Sequence, residues 1–254
     1  MTPDTGLSCD VRPSPNHNER VGVARPDILL LHYTGMGTAE QALERLTSPE
    51  AEVSSHYLVH EDGRIVQMVA EERRAWHAGR GSWRGKGDIN SRSIGIEIVN
   101  GGYVAGLPPY SDSQIEAVIA LCRDCVTRHG IEPHRVLAHS DIAPDRKEDP
   151  GEHFPWDRLF FAGVGHMVRP SPIRGGRFLS IGDEGAPVEA YRQLLAAYGY
   201  GIEAGGRFDE ATRLATIAFQ RHFRPERVDG VADVSTVETL HRLLSALPRS
   251  PFEM

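Results

Sequence analysis

The 254-residue chain sets 28 Lys and Arg against 35 Asp and Glu, a formal net charge of −7, with 40% hydrophobic and 25% charged residues. This is the balance of an ordinary globular protein, and it argues against a general nucleic-acid binder, which would present a basic face. No run reaches the roughly 18 apolar residues of a membrane helix, and three cysteines are too few for a disulfide scaffold.

Residues 1–20 are polar and proline-rich and read as an extended N-terminal arm. They show neither the basic start nor the apolar stretch of a signal peptide. Cys9 follows Leu7 and Ser8, but the apolar segment that a lipid-attachment site requires is missing. RPDILLLHYTG is then an apolar run short enough for a buried strand, and AEQALERLTS reads as a helix. HYLVHEDGRIVQMV predicts a hairpin turning at Asp62-Gly63, and SIGIEIVN another strand. In SQIEAVIALCRDCVTRHG, Ile115, Val118, Ile119, Cys122, Cys125 and Val126 recur at three- and four-residue steps, one apolar helical stripe. With no second C-x-x-C to complete a zinc site, Cys122 and Cys125 read as buried thiols. HRVLAHSD predicts a short strand entering the loop HSDIAPDRKEDPG.

Strands alternating with helices predict an α/β domain, a mixed central β-sheet flanked by helices, over residues 21–165. VRPSPIRGGR, with two prolines and two glycines in ten residues, marks a linker over 166–177. Three amphipathic segments follow, VEAYRQLLAAYGY, DEATRLATIAFQRHF and VSTVETLHRLLSAL, and predict a small all-α three-helix C-terminal domain over 178–248.

His32 and His139 each sit where an apolar strand meets a loop, the place where α/β sheets build their sites. With Asp149 they offer two imidazoles and a carboxylate, which leaves a fourth tetrahedral position open, as in a catalytic zinc site. Glu97 departs from the apolar pattern of SIGIEIVN: Ile94, Ile96 and Ile98 share one face, Gly95, Glu97 and Val99 the other. Pointed into a cleft, it could take a proton from water. Lys147, two residues before Asp149, could stabilise an oxyanion. Each residue also has an ordinary reading: a hydrogen-bonded strand-end histidine, a solvent-facing glutamate, a turn at Asp149-Pro150-Gly151.

The segments LLLHYTG, VSSHYLVHEDGRIVQMV, RAWHAG, SIGIEIVN and LAHSDIAPDRKEDPG, in this order over roughly residues 20–160, resemble the zinc-dependent N-acetylmuramoyl-L-alanine amidases, which share a fold with peptidoglycan recognition proteins. The resemblance implies one zinc ion per chain held by His32, His139 and Asp149. It makes Glu97 the catalytic acid/base and Lys147 the residue that stabilises the transition state. It also places His77 of RAWHAG at the border of the substrate groove. Some relatives carry a catalytic tyrosine where this chain has Ser55, which points to the branch that relies on glutamate. The C-terminal segment is similar to three-helix peptidoglycan-binding modules.

The expectation is therefore a monomeric zinc amidase that cuts between N-acetylmuramic acid and L-alanine of peptidoglycan or muropeptides. No nucleic acid and no membrane span are involved. The appended module would act as a tether raising local concentration at the wall, which places the chain in the cell envelope or periplasm. A cytoplasmic amidase recycling anhydro-muropeptides is the alternative, and a non-catalytic peptidoglycan-binding protein a more distant one.

Overall fold

Short apolar runs bounded by turns pair into one twisted sheet, in a computed structural model that describes residues 1–248. The strands are β1 (Cys9–Val11), β2 (His17–Glu19), β3 (Ile28–Tyr33), β4 (Tyr57–Val59), β5 (Ile65–Gln67), β6 (Arg73–Ala75), β7 (Ser93–Ile98) and β8 (Val136–Ala138). Six of them form a sheet in the order β1-β5-β4-β7-β3-β8, and β2 pairs separately with β6. In the large sheet only the β4–β5 hairpin is antiparallel, so the sheet is mixed, as the alternating pattern predicts.

Residue alternation then decides what each face meets. Leu29, Leu31, Ile94, Ile96 and Ile98 point to one face, covered by helix α3 (Asp112–His129) through Ile115, Val118, Leu121, Cys122 and Cys125. Both thiols are fully buried. Gly130, at φ +64°, ends that helix in the left-handed conformation a glycine tolerates best. The opposite face is divided. At the β4–β5 end, helix α1 (Ala39–Thr47) sets Ala42, Leu43 and Leu46 against Leu58, Val66 and Val99. At the β3–β8 end the cover comes from the C-terminal segment, and the strip between the two covers stays open.

That segment folds into three helices, α6 (Ala186–Tyr198), α7 (Glu210–Phe223) and α8 (Val234–Ser245). Asp209 and Asp233 cap the last two, each accepting from the backbone N–H three residues on, at Thr212 and Thr236. Three short helices complete the fold: α2 (Ile89–Arg92), α4 (His139–Ile142) and α5 (Trp156–Phe161).

The connection between the two units departs from a tether. Ile28, Leu30, Trp83, Leu137 and Ile142 of the sheet side form one continuous apolar cluster with Val188, Tyr191, Leu195, Tyr198, Phe219, Phe223 and Leu243. Trp83 is fully buried, edge-on to Tyr198 and Tyr200 at ring distances of 6.0 and 5.2 Å. It lies so close to Gly199 that a Cβ there would come within 2.4 Å of the indole. The linker is strapped along α8: Ser171 N–H donates to Thr239 Oγ1 (3.0 Å), Ser235 Oγ donates to the Ser171 carbonyl, and Arg242 donates to the Arg169 carbonyl (2.8 Å). Proline and glycine content marks irregular backbone, and here the backbone of Arg169 and Ser171 finds its partners on a neighbouring helix. The N-terminal arm is likewise not free, because β1 adds a parallel edge strand beside β5 and β2 pairs antiparallel with β6.

Candidate active site

The open strip of the sheet is where the predicted residues converge. In the parallel ladder His32 of β3 lies directly opposite Glu97 of β7, so both side chains rise from the same face at the same level. His139 opens α4 immediately after β8, so the segment read as a loop begins with a short helix. The Ser140 N–H then donates to the Asp149 carbonyl (3.1 Å), returning the chain to the same point.

His32 Nδ1 lies 2.9 Å from His139 Nδ1, and each lies 3.0 Å from Asp149 Oδ2. All three residues are buried. Among the described residues they form the one cluster of this kind suited to a metal ion. The outer nitrogens fix the tautomers. His139 Nε2 contacts the Ala78 carbonyl at 3.0 Å, and a carbonyl only accepts, so this nitrogen carries the proton. The Nδ1 lone pair of a neutral His139 therefore faces a carboxylate oxygen, two acceptors in contact, an arrangement that a cation between them relieves. The donor set and spacing fit zinc, whose tetrahedral ligands at about 2.0–2.1 Å lie roughly 3.3 Å apart. Burial, with His139 alongside, lowers the His32 pKa to about 4, which keeps the ring neutral as a ligand must be. Burial opposes ionisation of Asp149; histidines donating from Nδ1 would hold its carboxyl well below the usual range, and in the ligating tautomer a bound cation takes over that role.

His77 sits behind this cluster and also lines the groove. Its Nδ1 is 2.9 Å from His32 Nε2, its Nε2 is 3.2 Å from Ser93 Oγ, and that hydroxyl donates to the Ile89 carbonyl (2.7 Å). A consistent set of donors runs from His32 to His77 to Ser93, leaving His32 Nδ1 free to bind a metal. Gly95 makes this possible, because a Cβ there would meet the His77 ring at 2.5 Å.

Glu97 is half-buried, and its Oε2 is buried with no hydrogen-bond partner. Burial first, then the Asp149 charge, push its carboxyl well above the ordinary range. A carboxyl so placed can accept and return a proton near neutral pH. Lys147 lines the same cavity, and its charge acts on both Glu97 and His32. Ser55 is fully buried.

The cavity measures about 800 Å³. One wall is α1 with Arg45 and Leu46, and the other is α7 with Arg213, Leu214, Ile217 and Arg221. The α7 wall, the Ala78 carbonyl and Asp141, whose Oδ2 accepts from the Ala138 N–H (2.8 Å) just before His139, were missed in the sequence. The apolar stripe of α7 shows that it packs, but no local pattern shows against what. A signal for Asp141 did exist, since an acidic residue three positions after Ala138 suits the cap of a short helix.

A family model described as N-acetylmuramoyl-L-alanine amidase matches residues 22–152, just over half of the chain and the span that holds His32, His77, Glu97, His139, Lys147 and Asp149. The chain belongs to the N-acetylmuramoyl-L-alanine amidase family. A peptidoglycan binding domain family matches residues 184–240. The amidase is similar to N-acetylmuramoyl-L-alanine amidase AmiD of Escherichia coli, 39% identical over 234 residues, 87% of this chain and 83% of that protein. A solved structure of AmiD with anhydro-N-acetylmuramic acid-L-Ala-D-γ-Glu-L-Lys superposes with a TM-score of 0.75 at 36% identity, covering 90% of this chain and 92% of AmiD. AmpDh3 of Pseudomonas aeruginosa, solved with an anhydromuramic pentapeptide, gives 0.72 at 31% identity, covering 98% and 99%. The 1,6-anhydro-N-acetylmuramyl-L-alanine amidase AmpD of Enterobacter cloacae is 33% identical over 178 residues, 63% of this chain and 93% of that protein. These relatives share the catalytic unit, and AmiD and AmpDh3 also span the helical one.

Proposed function

We propose that His32, His139 and Asp149 hold one zinc ion and that Glu97 and Lys147 perform the proton and charge work of amide hydrolysis. The observation that carries this reading is the unpartnered, buried Glu97 Oε2 on the strand position beside His32. A zinc ion held there supplies Lewis acidity, acidifying water and polarising a carbonyl. Glu97 takes the proton of the attacking water and, once protonated, delivers it to the departing alanine nitrogen. The Lys147 ammonium faces the negative charge that develops on the carbonyl oxygen. His77 keeps the His32 ring in its ligating tautomer and borders the bound substrate.

Residues 21–165 serve as the catalytic unit and 178–248 as the peptidoglycan-binding unit, in a monomer. Because α7 is itself a wall of the groove, the helical unit meets the substrate at the point of cleavage rather than from the end of a tether. Arg45 suits a carboxylate of the stem peptide, whereas Arg213 and Arg221 are already paired with Glu210 and with Glu148 and Glu152. A match to a peptidoglycan-binding family favours the wall as substrate, and hence the cell envelope. Among the described residues no helix is long and apolar enough to cross a membrane. Soluble anhydro-muropeptides are the second reading, favoured by the ligands bound in AmiD and AmpDh3.

Mass spectrometry of products from intact sacculi and from soluble anhydro-muropeptides, each with and without chelator, tests this. Stem peptides with an L-alanine N-terminus, released from sacculi and lost with chelator, are expected. Release from soluble fragments alone moves the substrate to the recycling class, and release that survives chelation refutes the metal role.

A further inference from the structure

Helix α4 holds two of the three proposed ligands in place: it begins with His139, and its Ser140 N–H fixes the Asp149 backbone. What holds α4 is Asp141, whose carboxylate is completely buried. Its Oδ2 accepts from the Ala138 N–H at 2.8 Å, the residue immediately before His139. Both of its remaining partners come from the helical unit. Tyr200 OH donates to Oδ1 at 2.7 Å, and His222 Nδ1 lies 2.7 Å from Oδ2. An ionised carboxylate only accepts, so His222 Nδ1 carries a proton. The imidazole is clamped between Trp156, with ring centres 3.7 Å apart, and Phe223, at 3.8 Å, so its donor direction is fixed.

A buried carboxylate stripped of its donors is costly, and α4 is four residues long with little helical stability of its own. Without Tyr200 and His222, Asp141 would turn toward other partners and release the Ala138 cap that sets the backbone at His139. Resting on the zinc assignment above, we infer that the helical unit is a working part of the metal centre. His222 and Tyr200 are positioning residues that hold Asp141 and, through it, the ligand-bearing helix. Outer partners of metal ligands change affinity by about 10–100-fold when removed.

The test measures zinc dissociation constants on full-length chains by competition with a chromophoric chelator. Tyr200→Phe removes one donor with little change of shape. His222→Leu removes the other, whereas His222→Asn loses the same stacking but keeps a donor near the Nδ1 position. Zinc binding about 10-fold weaker in Tyr200→Phe and in His222→Leu, and largely restored in His222→Asn, is expected. Leu243→Val, on α8 and outside the hydrogen-bond partners of Asp141, lowers the unfolding midpoint and leaves zinc affinity at the wild-type value. Wild-type affinity in folded Tyr200→Phe overturns the inference even if His222→Leu fails to fold. An equal loss in Leu243→Val overturns it too, because the effect would then follow stability alone. A wild-type chain that takes up no zinc removes the metal assignment and this inference with it, a failure distinct from either of the others.

Discussion

Trp83→Ala tests whether the two units form one folding body. The indole is fully buried within the shared apolar cluster and edge-on to two tyrosines. A buried aromatic side chain removes about 150–250 Å² from water, which at about 25 cal/mol per Å² corresponds to roughly 4–6 kcal/mol as an upper bound. Truncation therefore destabilises by about 4 kcal/mol, within the range of about 3–5 for Trp→Ala in cores. For a chain of this size that lowers the midpoint by about 8–16 °C. The Trp83 Nε1 has no hydrogen-bond partner, so Trp83→Phe removes an orphaned donor together with some volume and costs far less. Differential scanning calorimetry on the zinc-loaded protein supplies the check. Wild type gives one cooperative transition, and Trp83→Ala gives an earlier one that splits as the units uncouple. A variant melting with wild type, or a wild type that already melts in two steps, would refute the shared core.

Glu97→Ala is expected to keep stoichiometric zinc and to lose turnover by at least about 10²-fold, whereas His139→Ala loses both; metal analysis beside an amidase assay separates them. Near-normal turnover in Glu97→Ala would sink its assigned role. Gly95→Ala forces a methyl group into the His77 ring and should cost about 1–3 kcal/mol and weaken zinc binding; wild-type values of both would show that the His77–His32 contact is dispensable. Glu71 concerns pH. Burial opposes its charge, but Arg128, His129 and Tyr57 outweigh this and hold the carboxyl well below its usual range. A folded pKa below the unfolded value of about 4.3 means that its stabilisation is present above that pH and lost as pH falls. Glu71→Gln should flatten the acid limb of a stability–pH profile measured by urea unfolding, and an unchanged slope below about pH 4 would exclude it as a contributor.

The sequence showed the long elements because their periods are long enough to count. The strands at Ile28–Tyr33 and Ser93–Ile98, the hairpin at Asp62-Gly63, and α1, α3, α6, α7 and α8 all follow apolar repeats. The three-residue strands β1, β2 and β6 were not legible, since two of them are largely polar and none spans a full alternation. His32, His139 and Glu97 stood out as polar residues at the ends or on one face of apolar strands, and Asp149 as a carboxylate in the loop that follows His139. The relation of His77 to His32 depends on the missing side chain of Gly95, a contact between strand β7 and the segment after β6 that no local pattern encodes. The docking of the helical unit was hidden for a related reason: residues 166–177 have the composition of a flexible linker, and they are held by partners outside the segment, Ser235, Thr239 and Arg242 of α8 and Tyr198 of α6.

The division of one sheet face between α1 and the helical unit also has a consequence for synthesis. Ile28, Leu30, Leu137 and Ile142 leave the ribosome well before Leu240 and Leu243, the last residues of the cluster that covers them. Between residue 165 and Leu243 lie about 80 residues, which at about 5–20 residues per second take roughly 4–16 s to make. For that interval an apolar face of the catalytic unit is exposed on the nascent chain, a binding surface for chaperones and a route to aggregation when the gene is cut short.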